Sequence, residues 1–287
     1  MRSPLSDRNR TDVLLAKLIL LLRQIPFLGT ALRWYVGKYP EGSVVAIRSG
    51  YARGMKWRRY HRYVNGYWLG QYELEIQAAL VRELKTGAVF FDVGANAGFF
   101  TLIAASKVGR SGKCVAFDPD DENVASISEQ CYLNGLSSVV VVNEAVSDLV
   151  GDAWFARPHS GALTGHLCDH RLNDESVKVP TTTLDAAASK YGMPDFIKMD
   201  IEGAEGKALR GATMLLRKRA ATWLIEIHTP ASELDVRTAF ANTGYELLSV
   251  SGHRLAEGSG LPNHILARPD ATGPEPASKV ERRCTLE

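Results

Sequence analysis

The sequence predicts an α/β protein whose core is a doubly wound, mostly parallel sheet. Short apolar runs of strand length alternate with helix-like segments, and this alternation is typical of parallel strands joined by crossover helices. Glycine-rich or polar turns separate the two kinds of segment. The strand-like segments are 88–93, 113–118, 137–146, 195–203, 221–230, 245–251 and 263–269, and the helix-like segments are 97–108, 121–134, 205–218 and 231–243.

Polar or ionisable residues end the first five predicted strands. They are Asp92, Asp118, Glu144, Asp200 and His228. The carboxyl ends of parallel strands lie along one edge of a sheet, and ligands bind along that edge in open α/β folds. Because burial of such groups without partners is costly, their recurrence at strand ends indicates a site rather than a structural accident.

Charge is distributed unevenly along the 287 residues. Residues 1–63 hold 13 Lys/Arg and 3 Asp/Glu, whereas residues 64–287 hold 21 and 29. A basic leader before an acidic body suggests contact with an anionic surface, although packing of the leader on its own body explains it equally well. We predict a partly helical leader at 1–63, a main domain at 64–268 with an insert at about 150–185, and a disordered tail at 269–287.

The apolar stretch at 13–29 is too short to span a bilayer, and two cations and a proline interrupt it. As a helix it would carry a polar stripe of Arg10, Lys17 and Gln24. Residues 10–35 could therefore lie on a membrane surface, cover the body or form a homodimer. The four cysteines form no CxxC pair, which suits a reducing compartment. We expect a cytoplasmic protein and leave peripheral contact with the inner membrane surface open.

The stretch DVGANAG at 92–98 joins the first predicted strand of the sheet to its helix. Gly94 and Gly98 would let the backbone bend tightly and approach a ligand. Asp118 lies 20 residues after Gly98, where an acidic side chain can bond the hydroxyls of a ribose. No Walker A lysine follows the turn, and Asp92 would repel a pyrophosphate but attract an ammonium group. A ligand with a ribose at one end and an amino acid at the other is S-adenosylmethionine.

Seven stretches of the chain, in order, resemble the FkbM-type S-adenosylmethionine-dependent methyltransferases, and the pairing of DVGAN with D-x-E-G-x-E is the specific part. The resemblance implies a seven-stranded, Rossmann-like methyltransferase sheet with its last strand antiparallel. It also implies O-methyl transfer to a hydroxyl of a sugar, glycan or related natural product. The family usually has Glu at the position of Asp118 and often Tyr at that of Phe100. The matching stretches are YWLGQYE (67–73), VFFDVGANAGFFTLIAA (89–105), VAFDPDDEN (115–123), NEAVSD (143–148), TTTLDA (181–186), DFIKMDIEGAEGKALRGA (195–212) and LIEIH (224–228).

The strand-edge rule and the resemblance together predict the site residues. Asp200 would face the ammonium group of the cofactor or the acceptor hydroxyl, and Glu202 would point to the acceptor. His228 is our choice of general base, with Asp200 or Glu202 as alternatives and Glu226 as the group that orients the histidine. A cap on the next helix is the structural alternative for His228, while Glu205 fits a helix N-terminus as well as a functional role. The predicted cofactor-binding residues are Asp92, Gly94, Ala95, Asn96, Gly98, Phe99, Phe100, Asp118, Glu144, Ala145, Asp200 and Tyr72.

Other readings of the sequence remain open. Clustered carboxylates would suit Mg²⁺, but the spacing does not require it and we predict no metal ligands. Residues 53–68 interleave cations with aromatic rings, as an RNA methyltransferase would need. The acidic body and the lack of an RNA-binding motif argue against nucleic acid, so we expect a small-molecule or glycan acceptor. The third reading is a non-catalytic, cofactor-binding partner of a glycan-modifying enzyme.

Overall fold

The chain divides into two compact units, one ending at Leu74 and the other beginning at Glu75. The predicted membrane-surface segment at 10–35 and nearly all of the predicted tail lie outside the residues that the structure describes, and the predicted domain boundaries stay predictions. Within the described ranges, no helix has the length and apolar character needed to cross a bilayer. The computed structural model describes residues 40–60, 62–63, 66–157, 165–241, 243–256 and 258–270.

The first unit contains a small antiparallel ribbon and a short 3₁₀ turn. Strands β1 (Val44–Ala46) and β2 (Lys56–Arg58) form the ribbon, and the turn spans Tyr67–Leu69. The ring of Trp57 lies 5.4 Å from that of Tyr67, and the guanidinium groups of two arginines lie 4.9 and 5.1 Å from the ring of Trp68. Aromatic and basic residues that could form an RNA surface thus pack on one another within this unit.

The second unit is built on a seven-stranded sheet with the order β12–β13–β11–β10–β3–β4–β5. Strand β13 is antiparallel to both of its neighbours, and the other neighbouring pairs are parallel. The predicted fold class, with its last strand antiparallel, is therefore confirmed. The further strands are β3 (Val89–Val93), β4 (Lys113–Phe117), β5 (Val139–Val142), β6 (Ala145–Val146), β7 (Gly151–Ala156), β8 (His166–Cys168), β9 (Ser176–Thr182), β10 (Phe196–Met199), β11 (Thr222–Glu226), β12 (Tyr245–Ser249) and β13 (His264–Pro269). The helices are α1 (Leu74–Glu83), α2 (Phe99–Val108), α3 (Asp121–Leu133), α4 (Leu184–Tyr191), α5 (Glu205–Arg210), α6 (Thr213–Lys218) and α7 (Pro230–Phe240).

The central strands are buried on both faces, which explains why they read as nearly continuous apolar runs. Phe90 and Phe196 pack across neighbouring strands with ring centroids 5.9 Å apart, and Phe91 packs on Phe117 at 5.5 Å. Each fully buried phenylalanine side chain contributes about 2–3 kcal/mol of transfer free energy. This packing fixes the ends of β3, β4 and β10 relative to one another.

Two predicted elements are wrong in detail. The predicted strand at 137–146 is two strands, because the polar pair Asn143 and Glu144 interrupts it, and β6 joins a separate four-stranded sheet with the order β6–β9–β7–β8. Glu144 therefore follows the end of β5 and does not end a strand of the large sheet. The predicted helix at 205–218 is divided into two helices, α5 and α6. A new helix starts there because the carboxylate of Asp185 accepts the N–H groups of the first turn of α6. The described residues of the insert include strands β7, β8 and β9.

Candidate active site

The turn after β3 ties the ends of three strands together. The N–H groups of Gly94 and Ala95 both donate to the carbonyl oxygen of Phe117 at 3.0 Å. Gly94 has a φ of 79°, and a Cβ at this position would collide with the carbonyl oxygen of Asp200. Glycine is therefore required here both by the backbone conformation and by the close approach of the chain after β10.

Asp118, the predicted ribose ligand, holds this turn from the end of β4. Its carboxylate accepts the N–H of Asn96 at 2.8 Å, the N–H of Asp120 at 3.0 Å and the side-chain amide of Asn123 at 3.0 Å. Burial raises the pKa of Asp118 to about 7, although these hydrogen bonds act in the opposite direction. A carboxylate has about four acceptor positions, and the described donors take three of them. The predicted bond to a ribose hydroxyl stays a prediction.

Three further predicted cofactor residues, Gly98, Phe99 and Phe100, lie where the turn joins α2. Gly98 is the N-cap of α2, and a Cβ there would lie 3.2 Å from Cα of Ile127 on α3. Phe99 and Phe100 are buried and pack edge to face, with ring centroids 5.6 Å apart. Helix packing therefore accounts for this glycine and these rings without a ligand.

Asp92 is completely buried in β3. Its Oδ2 accepts the hydroxyl of Thr101 at 2.6 Å, whereas its Oδ1 has no hydrogen-bond partner among the described residues. Burial raises the pKa of Asp92, against the opposing effects of Lys198 and Thr101. The predicted attraction of Asp92 for a ligand ammonium group stays a prediction.

Lys198 is a buried cation that the sequence analysis missed. It pairs in register with Asp92 across β10 and β3, and its Nζ lies 4.0 Å from Asp92 Oδ1 and 3.3 Å from Asp200 Oδ2. Nζ also lies 5.0 Å from the ring centroid of Phe100. The signal was present, because Lys198 precedes Asp200 by two residues and strand residues two apart share a face.

The three predicted catalytic residues come together after β10 and β11. The Nε2 atom of His228 lies 3.5 Å from Asp200 Oδ1 and 3.5 Å from Glu202 Oε2. Glu226 Oε1 is 3.7 Å from the same nitrogen. We call His228 and these three carboxylates the histidine cluster.

Glu205, rather than Glu226, is the direct hydrogen-bond partner of His228. Its Oε1 lies 2.8 Å from Nδ1 of the histidine. This hydrogen bond raises the pKa of His228 to about 9, supported by the charges of Glu202 and Asp200 and opposed by burial. Burial also raises the pKa of Glu205, but hydrogen bonds from His228 and other donors outweigh it, so the net shift is downward.

Glu226 has its own histidine partner on the antiparallel strand. His264 Nε2 lies 3.1 Å from Glu226 Oε2, and the two residues are paired in register between β13 and β11. Burial raises the pKa of Glu226, but the close contact and charge of His264, with the charge of His228, lower it overall. The assignment of Glu226 as the group that orients His228 is therefore wrong.

The structural alternative for His228 is also wrong, because another residue caps the following helix. Thr229 is the N-cap of α7, and its hydroxyl accepts the N–H of Ser232 at 3.0 Å. The imidazole of His228 is therefore not the cap of α7, and it contacts the carboxylates of the histidine cluster instead. Threonine is a preferred N-cap residue, so the sequence could have indicated that Thr229 caps this helix.

Three predicted cofactor residues remain, namely Glu144, Ala145 and Tyr72. Ala145 begins β6 and packs against Phe155 and Val179 in the four-stranded sheet, and Glu144 is half-buried just before it. Tyr72 belongs to the first unit, where its ring lies 4.9 Å from that of Tyr67. Their roles in cofactor binding stay predictions.

At this edge a divalent cation could be coordinated by Asp200, Glu226 and His228, because each offers a ligand atom within 4.8 Å of the others. Lys198 already places a positive charge beside Asp200, so the carboxylates do not by themselves argue for a metal. We assign no metal to the histidine cluster.

Residues 92–247, more than half of the chain, match the Methyltransferase FkbM domain. The chain belongs to the FkbM methyltransferase family. The matched range of this FkbM-family protein contains the turn after β3, Asp118 and the histidine cluster. Its recognition from sequence as a methyltransferase is thus confirmed.

One characterised relative of this FkbM-family chain is the hexuronic acid methyltransferase AglP of Haloferax volcanii. It is 26% identical over 167 residues, which make up 57% of this chain and 66% of that protein. The chain therefore matches just under two thirds of the length of this relative.

Solved structures also align with the chain. A methyltransferase FkbM from Methylobacillus flagellatus KT has a TM-score of 0.45 and 18% identity, covering 63% of this chain and 43% of that one. A SAM-dependent O-methyltransferase from Thermotoga maritima has a TM-score of 0.44 and 12% identity, covering 84% and 82%. The strand order, rather than these alignments, assigns the fold.

Proposed function

We propose that this protein transfers a methyl group from S-adenosylmethionine to a hydroxyl of a sugar, glycan or related natural product. The observation that carries the proposal is the placement of His228 among carboxylates, at the same sheet edge as the turn after β3. Family membership supports methyl transfer, and the hexuronic acid methyltransferase among its relatives favours a sugar acceptor.

The charge of this edge suits S-adenosylmethionine. Among the described residues, Asp92 has a buried oxygen without a hydrogen-bond partner, and the carboxylates around His228 outnumber the cations beside them. Such an edge suits a ligand with positive sulfonium and ammonium groups. When bound, this cofactor supplies a methyl group that its sulfonium already activates.

The chain's own residues would then align the acceptor and remove its proton. Asp200 and Glu202 would hold the acceptor hydroxyl in line, since alignment is the main requirement of methyl transfer. The Nε2 atom of His228 would accept the hydroxyl proton. Because the pKa of His228 is raised to about 9, the imidazole must first lose a proton. A cationic ligand nearby would lower that pKa and favour the neutral base.

Calorimetric titration of S-adenosylmethionine tests the cofactor assignment. We expect micromolar binding to the wild-type protein and at least tenfold weaker binding to Asp118→Ala. Asp174→Ala is the matched control, because Asp174 is exposed and pairs with Arg171 in the insert, and it should bind as wild type does. Circular dichroism checks that each variant is folded. A gain in affinity only with added Mg²⁺ would assign a metal role to the carboxylates, and no binding under any condition would overturn the proposal.

A screen of free and lipid-linked glycans tests the acceptor class. Formation of S-adenosylhomocysteine and a methylated glycan would support the enzyme. Cofactor binding without turnover on any glycan would favour the non-catalytic partner, and RNA affinity that falls steeply with salt would favour the RNA methyltransferase.

The proposals for residues 10–35 concern a part of the chain that the structure does not describe. We propose that this segment makes peripheral membrane contact in a cytoplasmic protein, with a homodimer as the alternative. Co-sedimentation of the full chain with anionic and neutral vesicles tests the first, since binding should require the anionic lipid. Light scattering tests the second.

A further inference from the structure

Glu205 differs from the other carboxylates near His228 because it is completely buried. Its side chain is 0% exposed, compared with 22% for Asp200 and 33% for Glu202. Burial of a charged carboxylate is costly unless hydrogen bonds and an opposite charge compensate it. The surroundings of Glu205 must therefore supply several donors.

Those donors come from three directions. Oε1 lies 2.8 Å from Nδ1 of His228 and accepts the N–H of Gly203 at 3.1 Å. Oε2 accepts the hydroxyl of Ser232 at 2.7 Å. The hydroxyl of Ser232 lies 3.0 Å from that of Thr229 at the start of α7. Both oxygens of Glu205 thus have defined partners, and the carboxylate is fixed between the starts of α5 and α7.

This arrangement determines which ring nitrogen of His228 is available. A buried carboxylate accepts hydrogen bonds, so the proton of the 2.8 Å contact lies on Nδ1 of the imidazole. Nε2 then faces Asp200 and Glu202, each at 3.5 Å. The ring can exchange a proton at this nitrogen without breaking its bond to Glu205.

We propose that Glu205, anchored by Ser232, is a positioning residue that holds His228 with Nδ1 protonated and presents Nε2 to the acceptor hydroxyl. The inference rests on the proposed function. As the oxygen–carbon bond forms and the carbon–sulfur bond breaks, the hydroxyl proton passes to Nε2, and the imidazolium later releases it to water. Glu205 itself stays ionised throughout.

Several charged groups set the titration of His228. Asp200 follows β10, Glu202 lies in the next turn, Glu205 begins α5 and Glu226 ends β11, so all four carboxylates favour the imidazolium. Lys198 beside Asp200 and His264 beside Glu226 act in the opposite direction when charged. Among them Glu205 makes the shortest contact with the ring, so its removal should have the largest single effect.

The first test uses the wild-type protein labelled with ¹⁵N-histidine. Free neutral histidine prefers the tautomer with the proton on Nε2, so the opposite tautomer is a specific signature of the contact with Glu205. Ring nitrogen shifts recorded above pH 10 should show His228 protonated on Nδ1, with His228→Gln used to assign its signals. A dominant Nε2–H tautomer would overturn the proposal.

The second test removes the charge but keeps the shape. In Glu205→Gln the amide oxygen can still accept from Nδ1, while the negative charge is gone. The NMR titration midpoint of His228 should fall by at least one pH unit from about 9. On an acceptor returned by the screen, kcat should fall at least tenfold with KM for S-adenosylmethionine within about twofold. An unchanged midpoint would contradict the proposal.

Asp185→Asn is the matched control. Asp185 is also a structural carboxylate, since it accepts the N–H groups of Met214 and Leu215 at 2.7 and 3.0 Å. Its replacement should lower stability but leave the His228 midpoint unchanged, and an equal change in both variants would count against a specific role for Glu205. The NMR tests need no cofactor. If S-adenosylmethionine fails to bind while the predicted tautomer is observed, the proposed function fails and the contact between Glu205 and His228 stands.

Discussion

The edge of the large sheet has two halves that hold their carboxylates in different ways. After β3 and β4, Asp92 and Asp118 are 0% and 4% exposed, and their hydrogen-bond donors are a hydroxyl, an amide and backbone N–H groups. After β10 and β11, Asp200 and Glu202 are partly exposed and face the ring of His228. In the first half the hydrogen-bond donors are neutral, although Lys198 lies 4.0 Å from Asp92. In the second half the carboxylates face a titratable histidine.

The two halves therefore differ in what their groups can do. Burial raises the pKa of both aspartates in the first half. A charged ligand bound beside them would therefore change their protonation. In the second half, contact with Glu205 raises the pKa of His228. A half with buried, hydrogen-bonded carboxylates suits the proposed cofactor recognition, whereas a half with a titratable histidine suits the proposed proton transfer.

The largest expected effect separates chemistry from binding. His228→Gln should lower turnover by about 10²–10⁴-fold, because that is the usual contribution of a general base. Affinity for S-adenosylmethionine should stay within about threefold, as measured by calorimetry. His253→Gln is the control, since His253 is exposed and its ring bonds Ser251. A turnover loss below tenfold would remove His228 from the chemistry.

The next effect breaks the link between the two halves. Gly94→Ala should lower the free energy of unfolding by about 2–5 kcal/mol, because the Cβ would collide with the carbonyl oxygen of Asp200 and the φ is positive. Urea denaturation measures it. Gly135→Ala is the control, since Gly135 has a φ of 64° but no atom of the described residues lies within 4 Å of a Cβ placed there. It should cost about 1 kcal/mol, and equal losses would refute the close approach.

A smaller effect sharpens the role of Asp118. Since burial raises its pKa to about 7, lowering the pH protonates the carboxylate and removes an acceptor for the ribose. The Kd for S-adenosylmethionine should rise about tenfold between pH 8 and pH 6. Asp118→Asn should bind weakly at both pH values. A wild-type Kd that does not change with pH would separate Asp118 from the cofactor.

The smallest expected effect is the change with pH in the stability that His228 contributes. His228 has a pKa raised from 6.5 to about 9, so its stabilising contribution is complete below about pH 6.5 and is lost as the pH rises through 9. Wild type should exceed His228→Gln by about 1–2 kcal/mol at pH 6, after allowance for solvent screening, and by much less at pH 10. Urea unfolding at the two pH values measures this, and a constant difference would contradict the charge balance of the cluster.

Much of the fold could be predicted because buried parallel strands leave a plain apolar pattern. The breaks in two elements could not, because they depend on distant partners. The carboxylate of Asp185 accepts an N–H group in the first turn of α6, 29 positions further along the chain. After β5 the chain leaves the large sheet, and β6 pairs with β9 in the smaller one. Local sequence carries no record of such contacts.

The site could be predicted where it depends on strand ends. Asp200 directly follows β10 and His228 lies two residues after β11, so the edge rule predicted both. Glu202 was predicted because it lies two residues after Asp200. Ser232 and His264 could not be found in this way, because their contacts depend on how α7 and β13 pack on β11. Glu205 was ambiguous from sequence, since a carboxylate in a first helical turn also satisfies the helix dipole.

The place of β13 between β11 and β12 also bears on how the protein is made. During translation, β12 has no neighbour in the sheet until residues 264–269 have left the ribosome. The same strand delivers His264 to Glu226. A nascent chain stalled before that point would expose an apolar strand edge to chaperones, with the carboxylate of Glu226 still lacking this histidine.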